Sequence, residues 1–234
     1  MRGVMLVVMG LGFAWSAAAA EPPSSRLLGR LAEQEARIAR SMEQDAYRVS
    51  GHVEELDGDG KLLHTRESVS RVTQRDGKKV VHVEQVRVDG KDVTEAERGK
   101  ERDRKPRQLQ SPFAAGVQAK YLYSLLGPDP ANPRLQRLRF EPKPNERSSD
   151  TFVGEALVDP AAGEVVWMRE HPAKNPAFVD RLEVEVALEA TSPEGRRLSL
   201  LRIDGAGGML FVKRGFRVRL QFSDYEPAPQ APRK

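Results

Sequence analysis

The sequence predicts a mainly β, α+β fold, with roughly ten antiparallel strands in a strongly curved or barrel-like sheet and one long N-terminal helix. Three observations predict it. Apolar residues recur at three-and-four spacing over residues 24–46, whereas beyond residue 47 they alternate with polar ones. Turn signals such as Asp57-Gly58-Asp59-Gly60, Asp76-Gly77 and Asp89-Gly90 then recur, at a spacing of roughly 8–12 residues. Several intervening segments approach about ten residues, longer than the usual five or six, and long strands favour curvature.

Residues 1–20 precede the fold. Arg2 is followed by an apolar run over residues 4–15 and by Ser16-Ala17-Ala18-Ala19-Ala20, the pattern of a secretory signal peptide cleaved after Ala20. The run is shorter than the roughly 20 residues that cross a bilayer, so no stable transmembrane anchor is expected. The chain has 234 residues and no cysteine. That excludes disulfides, thiolate metal sites, a cysteine nucleophile and a lipidated N-terminal cysteine. Export without disulfides fits a bacterial periplasm, the predicted location. Against 34 acidic residues stand 38 basic ones, a net charge of +4 that implies no nucleic-acid partner. One domain is expected over residues 21–225, followed by a disordered Pro-rich tail over residues 226–234.

The helix over 24–46 carries Leu28, Leu31, Ile38 and Met42 on one stripe, widened by Leu27 and Ala39, with Ser24 or Ser25 as cap. Arg30, Glu33, Arg37, Arg40 and Glu43 fall off the stripe and are assigned to water. A three-stranded meander follows over 47–56, 62–74 and 80–88. Residues 94–107 read as a solvated helix, opened by a Thr94/Glu97 capping box. Ser111-Pro112 is read as opening a short helix through residue 119, ahead of a strand at 121–126. Further strands are expected at 135–140, 151–158, 164–170, 182–189, 197–203, 209–213 and around 217–222. Turns are expected at Asp159-Pro160, at residues 192–195 and at Gly205-Ala206-Gly207-Gly208.

Catalytic and metal patterns fail their required context. Aligning Gly60 with the glycine of a calcium loop puts Glu55 first and Arg66 where the bidentate Glu belongs. His52, His64, His82 and His171 are scattered, and a simple register across Gly58-Asp59 puts His52 opposite Thr65 and His64 opposite Val53, on opposite faces. The glycine run at 205–208 lacks a following helix and a Lys-Ser/Thr, and no Gly-x-Ser-x-Gly elbow occurs. The protein is therefore read as a non-enzyme with no cofactor and no metal. A long amphipathic helix against a curved sheet can seal an apolar hollow. Its candidate lining is Leu31, Ile38 and Met42 from the helix with Val153, Leu157, Trp167, Phe178, Leu182, Val184 and Phe222 from the sheet. The alternative is that these side chains pack as a dry core.

The order of features resembles the LolA-like family of periplasmic lipoprotein-sorting proteins. The residues that carry the resemblance are the leader, the helix before Tyr47, Val53-Glu-Glu-Leu56-Asp57-x-Asp59-Gly-Lys61 and Val88-Asp-Gly-Lys91 running into the charged segment. Downstream they are Phe140-Glu-Pro-Lys143, Phe152-Val-Gly-Glu-Ala156, Val158-Asp-Pro160 and Pro176-x-Phe178-Val-Asp180. The resemblance implies a single half-barrel domain, an unclosed β-barrel wrapped around the helix, with a hollow that takes lipid or lipoprotein acyl chains. In related proteins the same scaffold serves as a lipid-binding sensor. The leading expectation is thus a soluble periplasmic lipid-binding protein or lipoprotein carrier. The alternative is an envelope protein-interaction or sensor module with a filled barrel. An envelope hydrolase ranks third.

Overall fold

The computed structural model describes residues 21–75, 78–98, 111–192, 195–209 and 212–227. The predicted leader, most of the Pro-rich tail, the charged segment beyond Arg98 and the turn residues at 76–77 and 193–194 lie outside the described residues.

The chain opens with helix α1 (Ser25–Gln44), whose first turn is capped by the Ser24 hydroxyl accepting from the Leu27 amide at 3.2 Å. Strands β1 (Ala46–Asp57), β2 (Leu62–Arg75) and β3 (Lys78–Val88) form the predicted three-stranded meander, which the two-residue β4 (Lys91–Asp92) extends. Asp57 shapes its first turn, its Oδ1 accepting from the amides of Asp59 and Lys61, both at 2.9 Å. A short helix α2 (Thr94–Arg98) follows. The second meander runs through β5 (Tyr121–Pro128), β6 (Gln136–Pro142), β7 (Phe152–Asp159), β8 (Glu164–Pro172), β9 (Val179–Ser192), β10 (Gly195–Met209) and β11 (Val212–Glu226).

All pairings are antiparallel, and β1 pairs β11, so the two meanders join mid-sheet in the order β4-β3-β2-β1-β11-β10-β9-β8-β7-β6-β5. The eleven strands form one sheet whose outer strands, β4 and β5, do not pair with each other. The predicted unclosed sheet with one main helix is therefore the observed architecture.

Three local expectations are corrected. Residues 112–119 form successive turns ending in a 3-10 turn at Gln118–Lys120, not an α-helix. Gly116 lies within this stretch, and glycine disfavours a helix interior. Gly205–Gly208 is not a turn but part of β10, and the expected strand at 209–213 is instead the place where β10 gives way to β11. Close contacts explain these glycines. A Cβ on Gly207 would lie 2.1 Å from the Phe178 carbonyl oxygen, and one on Gly205 would lie 2.4 Å from the Phe216 ring. Gly207→Ala is expected to cost about 1–3 kcal/mol, readable as a lower urea midpoint at unchanged m-value. Third, a turn centred on Asp59 and a bulge between Glu55 and Leu56 each shift the pairing by one residue, and together they put His52 opposite Glu67 and His64 opposite Glu55, not opposite Thr65 and Val53. The shift is even, so the two imidazoles still point to opposite faces.

The core lies where α1 crosses the second meander. Leu31, Phe113, Leu138, Phe140, Ala156 and Val158 are fully buried there, and Leu28, Ile38 and Leu125 pack against them. Phe113 meets Phe140 edge-on at 5.3 Å. Polar anchors fix the helix over this core. Arg30 Nη2 donates to the Ala161 carbonyl at 2.6 Å, and Arg37 pairs with Glu164 at 3.0 Å. Between them Gln34, 0% exposed, donates to the Val165 carbonyl at 2.9 Å and accepts from its amide at 2.6 Å. Arg30 and Arg37, assigned to water from their positions off the apolar stripe, are thus docking residues.

Candidate functional site: an uncovered apolar trough

Strand register shows which side chains share the helix-bearing face. Directly opposed residues point the same way, so one row crosses the sheet from Glu170 through Val184, Ile203, Val218 and Val53 to Arg66. A second row passes from Val186 through Leu201, Leu220 and Gly51 to Ser68 and Val86. Helix α1 covers the β8 end of this face. At the far edge α2 is tied down where the Thr94 hydroxyl accepts from the Val86 amide at 2.9 Å and Glu97 pairs with Arg66.

Between the two helices lies a strip of apolar side chains covered by neither. Val49, Val53, Val83, Leu201, Ile203, Val218 and Leu220 are each half-buried, and Phe216 is 38% exposed. Gly51 keeps the floor low, since a Cβ there would sit 2.9 Å from the Ser68 hydroxyl and 3.2 Å from Leu220. Five strands set about 4.8 Å apart make a trough roughly 19 Å across. At the α1 end it is walled by aromatics. Tyr47 packs on Phe222 at 6.0 Å and on Tyr225 at 5.6 Å, and the Tyr225 hydroxyl donates to the Leu198 carbonyl at 2.7 Å and touches the Met42 sulfur at 3.5 Å.

The predicted lining divides four ways. Leu182, Val184 and Phe222 lie on the trough face, and Met42 stands on its helical wall. Leu31 and Ile38 belong to the packed core under α1, where space for a hollow is instead filled by Phe113, Leu138 and Phe140. Val153, Leu157 and Trp167 are corrected to the opposite face, because their neighbours Phe152, Ala156, Val158 and Met168 take the inward positions. There Val153 and Trp167 border a depression of about 560 Å³ rimmed by Arg139, Arg169 and Glu183. The Trp167 indole donates to Glu185 at 3.0 Å. Phe178 is corrected to the connection before β9, 67% exposed with a φ of 65°.

No family model matches the sequence, and no curated protein matches it. Among solved structures the chain is similar to a DUF1329 family protein from Desulfovibrio piger, at 12% identity over 90% of this chain and 95% of that one, with a TM-score of 0.41. It is also similar to a chain in the complex structure of Pseudomonas aeruginosa MucA/MucB, at 13% identity over 88% of this chain and 99% of that one, with a TM-score of 0.26. A structure of MucB in complex with MucA(peri) gives 12% identity, coverage of 88% and 100%, and a TM-score of 0.25. These likenesses are too loose to lend the site a role, which rests on its own geometry.

Electrostatics set the trough apart from the rest of the sheet. The opposite face carries a ladder of ion pairs across successive strands, including Arg169–Glu183 at 2.6 Å, Arg202–Glu185 at 3.3 Å and Arg217–Glu54 at 3.3 Å. At the α1 edge of the helix-bearing face Glu35 and Glu170 come together. Burial pushes the Glu170 carboxyl up to about 8, and repulsion from Glu35 adds to it. Burial likewise pushes Glu35 up to about 7 against a lowering hydrogen bond from Ser111. Among the described residues Glu170 Oε2 is buried without a hydrogen-bond partner. Among the described residues no helix is long and apolar enough to cross a membrane.

The trough residues absent from the predicted lining are Val49, Val53, Val83, Leu201, Ile203, Phe216, Val218 and Leu220. Alternation identified Val218-x-Leu220-x-Phe222 as one face of a strand, but nothing local said that α1 would stop short of it.

Proposed function

We propose that the protein is a non-enzymatic binding protein that takes the acyl chain of a lipid or lipoprotein into the trough between α1 and α2. The observation that carries this reading is the strip across β3, β2, β1, β11 and β10 that no element among the described residues covers. Its floor offers mainly apolar contact, because the backbones of β2, β1, β11 and β10 are already paired on both sides, while β3 beyond Arg87 and Val88 is paired with β2 alone. An extended peptide laid there would bury its own amides and carbonyls without partners, which is costly. An acyl chain carries no such groups and gains up to about 0.8 kcal/mol per methylene buried. The export pattern of residues 1–20 supports a periplasmic setting and a carrier or sensor role among envelope lipids.

The packed core under α1 favours one competing reading, a protein-interaction module. An amphipathic helix satisfies its own backbone and would fit the same trough.

The test uses Val53→Glu together with Val218→Lys. These residues face each other across β1 and β11, so the new charges pair and the sheet is retained. A fluorescent fatty-acyl probe is expected to bind the wild type and to lose at least tenfold in affinity in the double variant, with a thermal midpoint within a few degrees of wild type. Equal probe binding by both proteins, or none by the wild type, would sink the acyl-chain reading.

A further inference from the structure

A second, polar cleft lies on the outer flank of α1. Arg37, Arg40, Ser41 and Gln44, at helical spacing, face the β9–β10 hairpin, where Gly195, Arg196 and Arg197 complete a cleft of about 290 Å³. Among the described residues four guanidinium groups meet there against two carboxylates. Glu164 is shared by Arg37 at 3.0 Å and Arg196 at 3.5 Å. Asp45 accepts from the Ser41 hydroxyl at 2.6 Å and pairs with Arg197 at 3.3 Å. The C-terminus of α1 adds only about half a negative charge, so the described groups of the cleft are net positive.

Donors are also in surplus. Among the described residues the Arg40 side chain has no hydrogen bond or ion pair, whereas Arg196 is engaged, its Nε ion-paired with Glu164 at 3.5 Å and its Nη1 donating to the Leu188 carbonyl at 3.3 Å. Gly195 keeps the cleft tight with a φ of 125°, where a Cβ would lie 2.8 Å from Glu164 Oε1 and 3.6 Å from Arg37 Nε. Guanidinium forks with unused N–H groups and net positive charge match a tetrahedral dianion, which accepts several charge-assisted hydrogen bonds at once.

We infer that this cleft binds a phosphate group, either as the free ion or as the headgroup of the acylated ligand. One aromatic layer separates it from the trough. Arg197 lies 5.1 Å from the Tyr225 ring centre, and Tyr225 contacts Tyr47, which contacts Phe222 on the trough wall. The headgroup source rests on the acyl-chain reading, whereas the phosphate site does not.

The test is calorimetric titration of the purified protein with inorganic phosphate and, separately, with lysophosphatidic acid at low salt. Arg40→Gln, Arg40→Lys and Arg196→Gln are compared with wild type. Both ligands are expected to bind, and Arg40→Gln to weaken each about tenfold, with Arg40→Lys recovering part of the loss. Arg40 is exposed, so its variants keep the wild-type thermal midpoint. Lysophosphatidic acid at least a hundredfold tighter than phosphate assigns the site to a lipid headgroup, and equal affinities assign it to the free ion. No binding of either ligand, or binding indifferent to both Arg40→Gln and Arg196→Gln, would overturn the site. The fatty-acyl probe, which has no phosphate, reports on the trough in the same variants and keeps the two failures distinct.

Discussion

Gln34→Leu is expected to lower the thermal midpoint by roughly 5–15 °C while leaving the far-UV spectrum of the folded protein unchanged. The reason lies in the backbone of β8. This strand pairs with β9 only from Trp167 onward, and its ladder with β7 shifts register between Leu157 and Val158. The amide and carbonyl of Val165 therefore look to Gln34, which bonds both from the helix above. Leucine is close in size and apolar, so it fills the space but leaves two buried backbone groups unpaired. At about 1–3 kcal/mol each the loss is roughly 2–5 kcal/mol, and about 2–4 °C accompanies each kcal/mol in a domain of this size. A thermal scan of the two proteins checks it. An unchanged midpoint would mean that α1 is held by its apolar stripe alone. Gln34→Glu should be damaging too, since it replaces the donor to the Val165 carbonyl with an acceptor.

The second large effect is on pH. Glu35 and Glu170 have folded-state values near 7 and 8 against 4.5 for the ordinary carboxyl. Below about pH 4.5 both folded and unfolded chains hold these protons, and the pair has no effect on stability. Between there and about pH 8 the unfolded chain releases protons that the folded chain keeps, so stability falls as pH rises. Above pH 8 this fall levels off. Shifts of this size correspond to several kcal/mol in all. Glu170→Gln removes the larger contribution. The fall in thermal midpoint between pH 5 and pH 8.5 should shrink by about half relative to wild type. Any cost of placing an amide at this site is independent of pH, so the slope is the readout. Parallel slopes for the two proteins would show that the carboxyl is solvated in solution.

Much of the fold was legible because the hydrophobic period changes once, from 3.6 in α1 to 2 in the strands, and because Asp-Gly turns separate the first meander. Legibility failed where side chains carry no period. Gly205-Ala206-Gly207-Gly208 has almost no side-chain signal, and its glycines answer to Phe216 and Phe178, which are distant in sequence. Phe152-Val-Gly-Glu-Ala-Leu-Val158 has apolar residues at both parities. Only the pairing of β7 with β6 and β8 reveals that Phe152, Ala156 and Val158 point inward and Val153 and Leu157 do not.

The candidate site was less legible than the fold for a related reason. The sequence shows that α1 has an apolar stripe, but where the helix ends over the sheet depends on Arg30, Gln34 and Arg37 finding the β7–β8 turn and the start of β8. Those anchors hold α1 on the second meander and leave the β1 and β11 valines bare. A helix seated centrally would have hidden the same residues.

The central claim is that an acyl chain lies in the trough and not beneath α1. Methyl-labelled NMR during titration with a fatty-acyl ligand tests it most directly. The account predicts shifts concentrated on the methyls of Val49, Val53, Val83, Val218 and Leu220, with Leu31 and Leu138 unmoved. Shifts centred on Leu31 and Leu138, showing entry under the helix, would contradict it, as would a spectrum that does not respond at all.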